Sequence, residues 1–241
     1  MPSRTVENYL KCIFIQQQKS VGELVPMGQL ATAMKVMPGT ATAMIQTLAD
    51  AKFAEYESRQ GVRLTDRGNH LALQVLRRHR LVEQFLVQVL NLDWSMVHEE
   101  AEELEHAISD RVLERIDQML GRPMVDPHGD PIPDSEGQLQ ARTGQRQNLV
   151  DCEMGKCFRV ARVLDQDPDF LRFVDRHGLT PGVEVMVQHR EAAADSITLL
   201  PAGLAAVTLG MAAARKILVE SADSVCAAAL TPGPGGRESL P

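Results

Sequence analysis

Val97-His98-Glu99-Glu100-Ala101-Glu102-Glu103-Leu104-Glu105-His106 is the stretch from which the rest of the chain can be read. With its flanks, Asp93 to Arg115, it reads as a single helix. At about 100° per residue, His98, Glu102, Glu105 and His106 fall within an arc of about 100°. Leu104, Ala107, Ile108 and Val112 supply apolar neighbours, which sets the ligand face beside buried surface. Two imidazoles and two carboxylates make the mixed nitrogen and oxygen shell that first-row divalent ions accept.

A solvated acidic helix face has the same composition, so a second observation is needed. It comes from Arg78-His79-Arg80-Leu81-Val82-Glu83, where His79 and Glu83 are four apart and point the same way. Two helices with His/Glu faces, joined across a short Leu92-Asp93 turn, converge on one or two ions.

The whole chain allows one large domain or two to three small ones: 241 residues, 44% hydrophobic, with 4% aromatics and 11 Met. No apolar run is long enough to span a bilayer and no signal-peptide pattern is present, so we expect a cytoplasmic protein. Cys12, Cys152, Cys157 and Cys226 lack CxxC spacing, which predicts reduced thiols rather than a zinc knuckle or disulfide framework. The net charge is −7 but uneven. Residues 1–70 carry eight Lys/Arg against six Asp/Glu, the remainder 17 against 26. Only the first segment suits a phosphate backbone.

Val6, Tyr9, Leu10, Ile13 and Phe14 predict a helix over 5–18, with Asn8 and Lys11 towards the opposite edge of its apolar stripe. A second helix runs from Met27 to Met34, and a third from Pro38, in the first turn, to Ala51. The short joint Lys35-Val36-Met37 makes the pair a helix-turn-helix, whose DNA-facing candidates are Met27, Pro38, Gly39, Thr40, Thr42 and Ala43. They permit close approach but include no Arg or Asn for bidentate base reading. Alternating residues 53–57 and 62–64 around Ser58-Arg59-Gln60-Gly61 predict a hairpin, the wing of a winged helix, with Arg59 and Arg63 near DNA phosphates.

Thr65 caps a long helix reaching about Leu90. Residues 121–148, rich in Pro, Gly, Gln and Asp, read as irregular chain ending in a linker. Short apolar runs at 157–163, 183–187, 196–200, 205–209 and 216–219, with a helix near 170–174, predict a small β-barrel, and the tail from Thr231 should be disordered.

Six motifs in residues 1–135 now carry a resemblance: Pro38-Gly39-Thr40-Ala41-Thr42, Leu64-Thr65-Asp66-Arg67-Gly68, Arg78 to Glu83, Val97 to His106, Ile108-Ser109-Asp110, and Asp126-Pro127-His128-Gly129-Asp130-Pro131-Ile132-Pro133. The chain resembles the diphtheria-toxin-repressor family of metal-dependent transcriptional repressors, including its manganese-transport-regulator branch. The last 90 or so residues resemble the SH3-like domain of some members. The fold class implied is a mainly α N-terminal part followed by a small all-β SH3-like barrel. The expected domains are a winged helix-turn-helix (1–72), a helical dimerisation and metal-binding domain (73–140), a linker (141–148), the SH3-like domain (149–222) and a disordered tail (223–241).

The resemblance also implies a homodimer that binds operator DNA when loaded with Mn(II) or Fe(II), regulating metal homeostasis genes. Its principal metal site would fall on Asn8, Glu102, Glu105 and His106, its neighbouring one on His79, Glu83 and His98, with Gln166 and Asp169 as further ligands. Glu102 stands where iron-sensing members have Cys, and hard oxygen favours Mn(II) or Fe(II). Asn8 replaces a charged or sulfur ligand. Lys11 replaces a Glu ligand of the manganese branch; an ammonium has no acceptor lone pair, so we expect it to pair with a carboxylate. Cys12 reads as a buried core thiol.

Two other classes share features with this sequence. Glu103-Leu104-Glu105-His106 has the ExxH spacing of di-iron carboxylate proteins, which need a second copy. The residue three before every other His is Arg67, Leu76, Ser95, Val125, Val174 or Met186, so the motif is single. A winged-helix regulator sensing an organic ligand would use the His/Glu residues as salt bridges, and the scarcity of aromatics counts against its pocket. Nothing indicates an enzyme: no Ser/His/Asp order, phosphate loop or dinucleotide fingerprint stands out.

Overall fold

The computed structural model describes residues 2–19, 24–139 and 146–222. The expected tail (223–241) and residues 141–145 of the expected linker lie outside them. The chain forms two compact units: residues 1–92, 97–126 and 131–141, and residues 93–96, 127–130 and 142–241.

In the first unit α1 (Arg4–Lys19) buries Tyr9, Leu10, Ile13 and Phe14, the stripe read from the sequence. α2 (Met27–Ala33) and α3 (Pro38–Asp50) pack Leu30, Ala41, Ile45 and Leu48 against it. The joint between them is tight because Lys35 takes φ 53° and Val36 N–H donates to the Ala31 carbonyl at 3.0 Å. The hairpin of β1 (Ala54–Glu57) and β2 (Gly61–Leu64) gains a third edge through Val25, whose N–H and carbonyl bond Val62 at 2.8 and 3.0 Å. Gly61 is required there: with φ 149°, a Cβ would stand 2.4 Å from the Val25 carbonyl oxygen.

α4 (Asp66–Gln88) is about 35 Å long by helical rise. Thr65 caps it, its hydroxyl accepting from Gly68 N–H at 3.1 Å. Ala72 and Leu76 belong to the winged-helix core, whereas Val82 and Leu86 pack with Val97 and Ala101 of α5 (Val97–Leu104). Leu81 joins Leu113 of α6 (Asp110–Met119) and Ile132. One rigid rod therefore holds the winged helix and the helices beyond it.

The expectation of a single helix over Asp93 to Arg115 is corrected: α5 ends at Leu104 and α6 begins at Asp110, so Glu105 and His106 sit in the turn between them. Ser109 is the cause. Its hydroxyl accepts from Val112 N–H at 3.4 Å as the cap of α6, and a capping serine competes with helix continuation.

The second unit is a six-stranded antiparallel sheet in the order β3-β8-β4-β5-β6-β7, from β3 (Gln147–Asn148), β4 (Cys157–Val163), β5 (Glu184–Glu191), β6 (Ser196–Pro201), β7 (Val207–Gly210) and β8 (Ile217–Ser221). Alternate residues Val185, Val187, Ile197, Leu199, Ile217 and Val219 fill its core with Leu171 and Val174 of α7 (Pro168–Arg176). Trp94 stacks on His128 at 5.4 Å, and Asp130 accepts from Arg162 and, at 3.1 Å, from Gln166. Cys12 and Cys152 are free, but Cys157 is disulfide-bonded, against the expectation of reduced thiols. Among the described residues no helix is long and apolar enough to cross a membrane.

A Cβ on Gly68 would lie 2.0 Å from the Phe53 carbonyl oxygen, which is main chain and cannot turn aside. Gly68→Ala should lower stability by about 1–3 kcal/mol, the range for overpacking, seen as a lower midpoint of urea unfolding with an unchanged slope.

Candidate metal centre

The polar edge of α1 meets the end of α5 and the turn after it through four positions, 4, 7, 8 and 11, that span two helical turns. Arg4 pairs with Glu103 at 2.7 Å. Glu7 and Asn8 hold the two nitrogens of His106, at 2.6 Å to Nδ1 and 2.7 Å to Nε2. Lys11 Nζ donates to Glu102 Oε1 at 2.7 Å and to Glu105 at 2.7 and 3.0 Å. Helical spacing sets these four on one side of α1, opposite the core stripe.

Behind them stands His79 of α4. Its Nδ1 lies 2.6 Å from Glu105 Oε2, and its Nε2 lies 3.0 Å from Glu83 Oε1 and 3.1 Å from His98 Nδ1. His98 Nδ1 is in turn 3.2 Å from the same Glu83 oxygen. His79, Glu83 and Glu105 are buried, while His98 is half open to solvent with 45% of its side chain exposed. A cavity of about 420 Å³ lined by Asn8, Lys11, Cys12, His98 and Glu102 reaches the cluster from outside.

These donors fit a divalent ion. A six-coordinate ion with bonds of about 2.2 Å keeps neighbouring donor atoms about 3.1 Å apart. His79 Nε2, Glu83 Oε1 and His98 Nδ1 form a triangle with edges of 3.0, 3.1 and 3.2 Å. The opposite nitrogen of His79 rests on the Glu105 carboxylate, the partner that metal-bound imidazoles ordinarily have.

The expected residues divide accordingly. His79, Glu83 and His98 form that triangle, and Asn8, Glu105 and His106 meet beside it, with His106 Nε2 3.2 Å from Glu105 Oε1. Glu102 faces Lys11, confirming the expected pairing. Gln166 and Asp169 belong to the second unit, where Gln166 bonds Asp130 and Asp169 pairs with Arg172 at 2.7 Å. Glu7 was missed; its spacing to Asn8 and Lys11 on one helical side was the available signal. Burial pushes the Cys12 thiol up to about 11, in keeping with an inert core sulfur.

On the winged helix, Pro38, Gly39, Thr40 and Ala43 are exposed at the start of α3. Thr42 turns its hydroxyl back on the Pro38 carbonyl at 2.9 Å, and Met27 is partly buried against the core. Arg59 is exposed at the hairpin tip, but Arg63 is paired with Glu55 at 2.6 Å.

Residues 1–62 match the iron-dependent repressor N-terminal DNA-binding domain, 65–134 the iron-dependent repressor metal-binding and dimerisation domain, and 147–221 the FeoA domain. A solved manganese-dependent transcriptional repressor in complex with manganese superposes with TM-score 0.79 and 39% identity, covering 90% of this chain and all of that one. The chain belongs to the iron-dependent repressor family. The iron-dependent repressor IdeR of Mycobacterium tuberculosis is 27% identical over 229 residues, 90% of this chain and 96% of that protein. An HTH-type regulator of Methanocaldococcus jannaschii is 33% identical over 114 residues, 47% of this chain and 90% of that one. This repressor therefore combines a DNA-binding winged helix, a metal-binding domain and a FeoA-type SH3-like sheet, and it is a metal-dependent transcriptional regulator rather than an enzyme.

Burial alone lowers the basicity of His79, but the Glu83 charge and hydrogen bonds to Glu105 and Glu83 outweigh it and push the imidazole up from 6.5 to about 9. Burial raises Glu105, and contacts with His79 and Lys11 outweigh it to hold the carboxyl below its ordinary 4.5. A raised imidazole stabilises the fold fully below its unfolded value and ceases to as pH passes its folded one; a depressed carboxyl does the reverse on acidification. The metal-free repressor should thus be most stable between about pH 4.5 and 6.5 and lose stability as pH rises through about 9. Thermal melts across pH check this, and His79→Gln should flatten the alkaline limb.

Proposed function

We propose that this repressor binds operator DNA as a homodimer when its cluster holds Mn(II) or Fe(II), and so controls metal homeostasis genes. The ligands proposed are His79, Glu83 and His98, with Asn8, Glu102, Glu105 and His106 as the adjoining set. The observation that carries this is the triangle of His79, Glu83 and His98 donor atoms, already spaced as a metal requires. Glu102 in place of sulfur favours a hard ion. Bound there, the ion supplies positive charge to a site crowded with carboxylates.

The chain's own residues carry the consequence to DNA. His79 Nδ1–H donates to Glu105, Glu105 grips Lys11, and Lys11 belongs to α1, a core element of the winged helix. A second line runs from His106 to Glu7 and Asn8 of the same helix. Whatever fixes His79 and His106 fixes the attitude of α1. The exposed start of α3 and Arg59 then face DNA; small side chains there suit close approach to the backbone.

Dimer formation is supported by large apolar side chains exposed on the first unit: Leu90, Leu92, Leu104, Val112 and Met119 are 39–65% exposed. Such exposure at the end of α4, on α5 and on α6 is the kind that a symmetric partner buries.

In a mobility-shift titration with operator DNA, Mn(II) should strengthen binding by the unchanged protein. Glu83→Gln should weaken that stimulation by more than about tenfold, and Glu105→Gln or His106→Ala should abolish it with circular dichroism unchanged. Stimulation equal to that of the unchanged protein would refute the assignment, and calorimetric heat with a neutral metabolite but none with Mn(II) would favour an organic ligand.

A further inference from the structure

Lys11 has no place among the proposed ligands, yet it stands at the centre of the cluster with only 8% of its side chain exposed. Its ammonium is met by three carboxylate oxygens, Glu102 Oε1 at 2.7 Å and Glu105 Oε1 and Oε2 at 2.7 and 3.0 Å. Three donors meet three acceptors, so its hydrogen-bonding capacity is used in full. His79, Glu102 and Glu105 each offer one donor atom within 4.8 Å of the others, a nitrogen and oxygen set suited to a hard divalent ion.

We propose that Lys11 is a built-in cation that occupies this position, so that no additional ion lodges between His79, Glu102 and Glu105 while Lys11 is present. The ammonium brings the positive charge that the buried Glu105 and the half-buried Glu102 need, and it has no lone pair to offer an ion, so it excludes one rather than binding it. Because it is covalently part of α1, it cannot dissociate as an ion can. Lys11 thus limits how many ions the cluster holds, and the adjacent cavity of about 420 Å³ leaves the position reachable from solvent once the ammonium is gone. The proposal rests on the reading of the cluster as a metal centre.

The full chain, Lys11→Ala and Lys11→Gln are dialysed against excess Mn(II), bound manganese per chain is counted by plasma mass spectrometry, and the same samples are examined by electron paramagnetic resonance. Both variants should hold one more Mn(II) per chain than the unchanged protein and show the signature of an exchange-coupled pair that the unchanged protein lacks. The glutamine variant keeps the length of the stem and a polar tip, so it decides the matter if the alanine variant does not fold. An unchanged count in a folded variant, with Mn(II) still bound by the parent chain, would overturn the role of Lys11 and leave the metal centre standing. No Mn(II) on the parent chain would overturn both.

Discussion

The buried run Lys11 to Glu105 to His79 to Glu83 is the interaction on which the first unit depends. Each member comes from a different place: α1, the α5–α6 turn and two adjacent turns of α4. Charges so enclosed are expensive to desolvate and stable only when every one has a partner. Removing one member leaves its neighbour buried and unbalanced, which for such pairs costs about 3–5 kcal/mol. The run is therefore a structural tie between the winged helix and the helices that follow it.

The helix break at Glu105 to Ser109 makes this geometry possible. On one continuous helix Glu105 and His106 would stand 100° apart and diverge. In the turn they instead address different partners: Glu105 faces inward to His79 and Lys11, while His106 meets Glu7 and Asn8. Ser109 thus shapes the site without touching it.

Much of this was legible from residue spacing. The stripe of α1, the Thr65 cap, the i,i+4 pair His79 and Glu83, the hairpin and the alternation of the β strands all follow from local periodicity, and each lies in the element expected. The helix break was missed because periodicity extends smoothly through Glu105 and His106, whereas a single capping hydroxyl stops it. Glu7 was missed because its role is set by a residue 99 positions away; its spacing to Asn8 and Lys11 marks the side of α1 it stands on but not the imidazole it meets. Lys11 was readable only as a departure from family pattern; its enclosure by three oxygens is a property of the fold.

The Arg63–Glu55 pair across the wing bears on how the protein tolerates ionic conditions. Each cation that neutralises a DNA phosphate releases a condensed counterion and steepens the fall of affinity with salt. A guanidinium already matched by a carboxylate on the neighbouring strand displaces fewer of them. With Arg63 so matched, Arg59 is the exposed guanidinium at the tip, and small neutral residues lead α3, so the wing and the start of that helix offer a polyanion more close surface than charge.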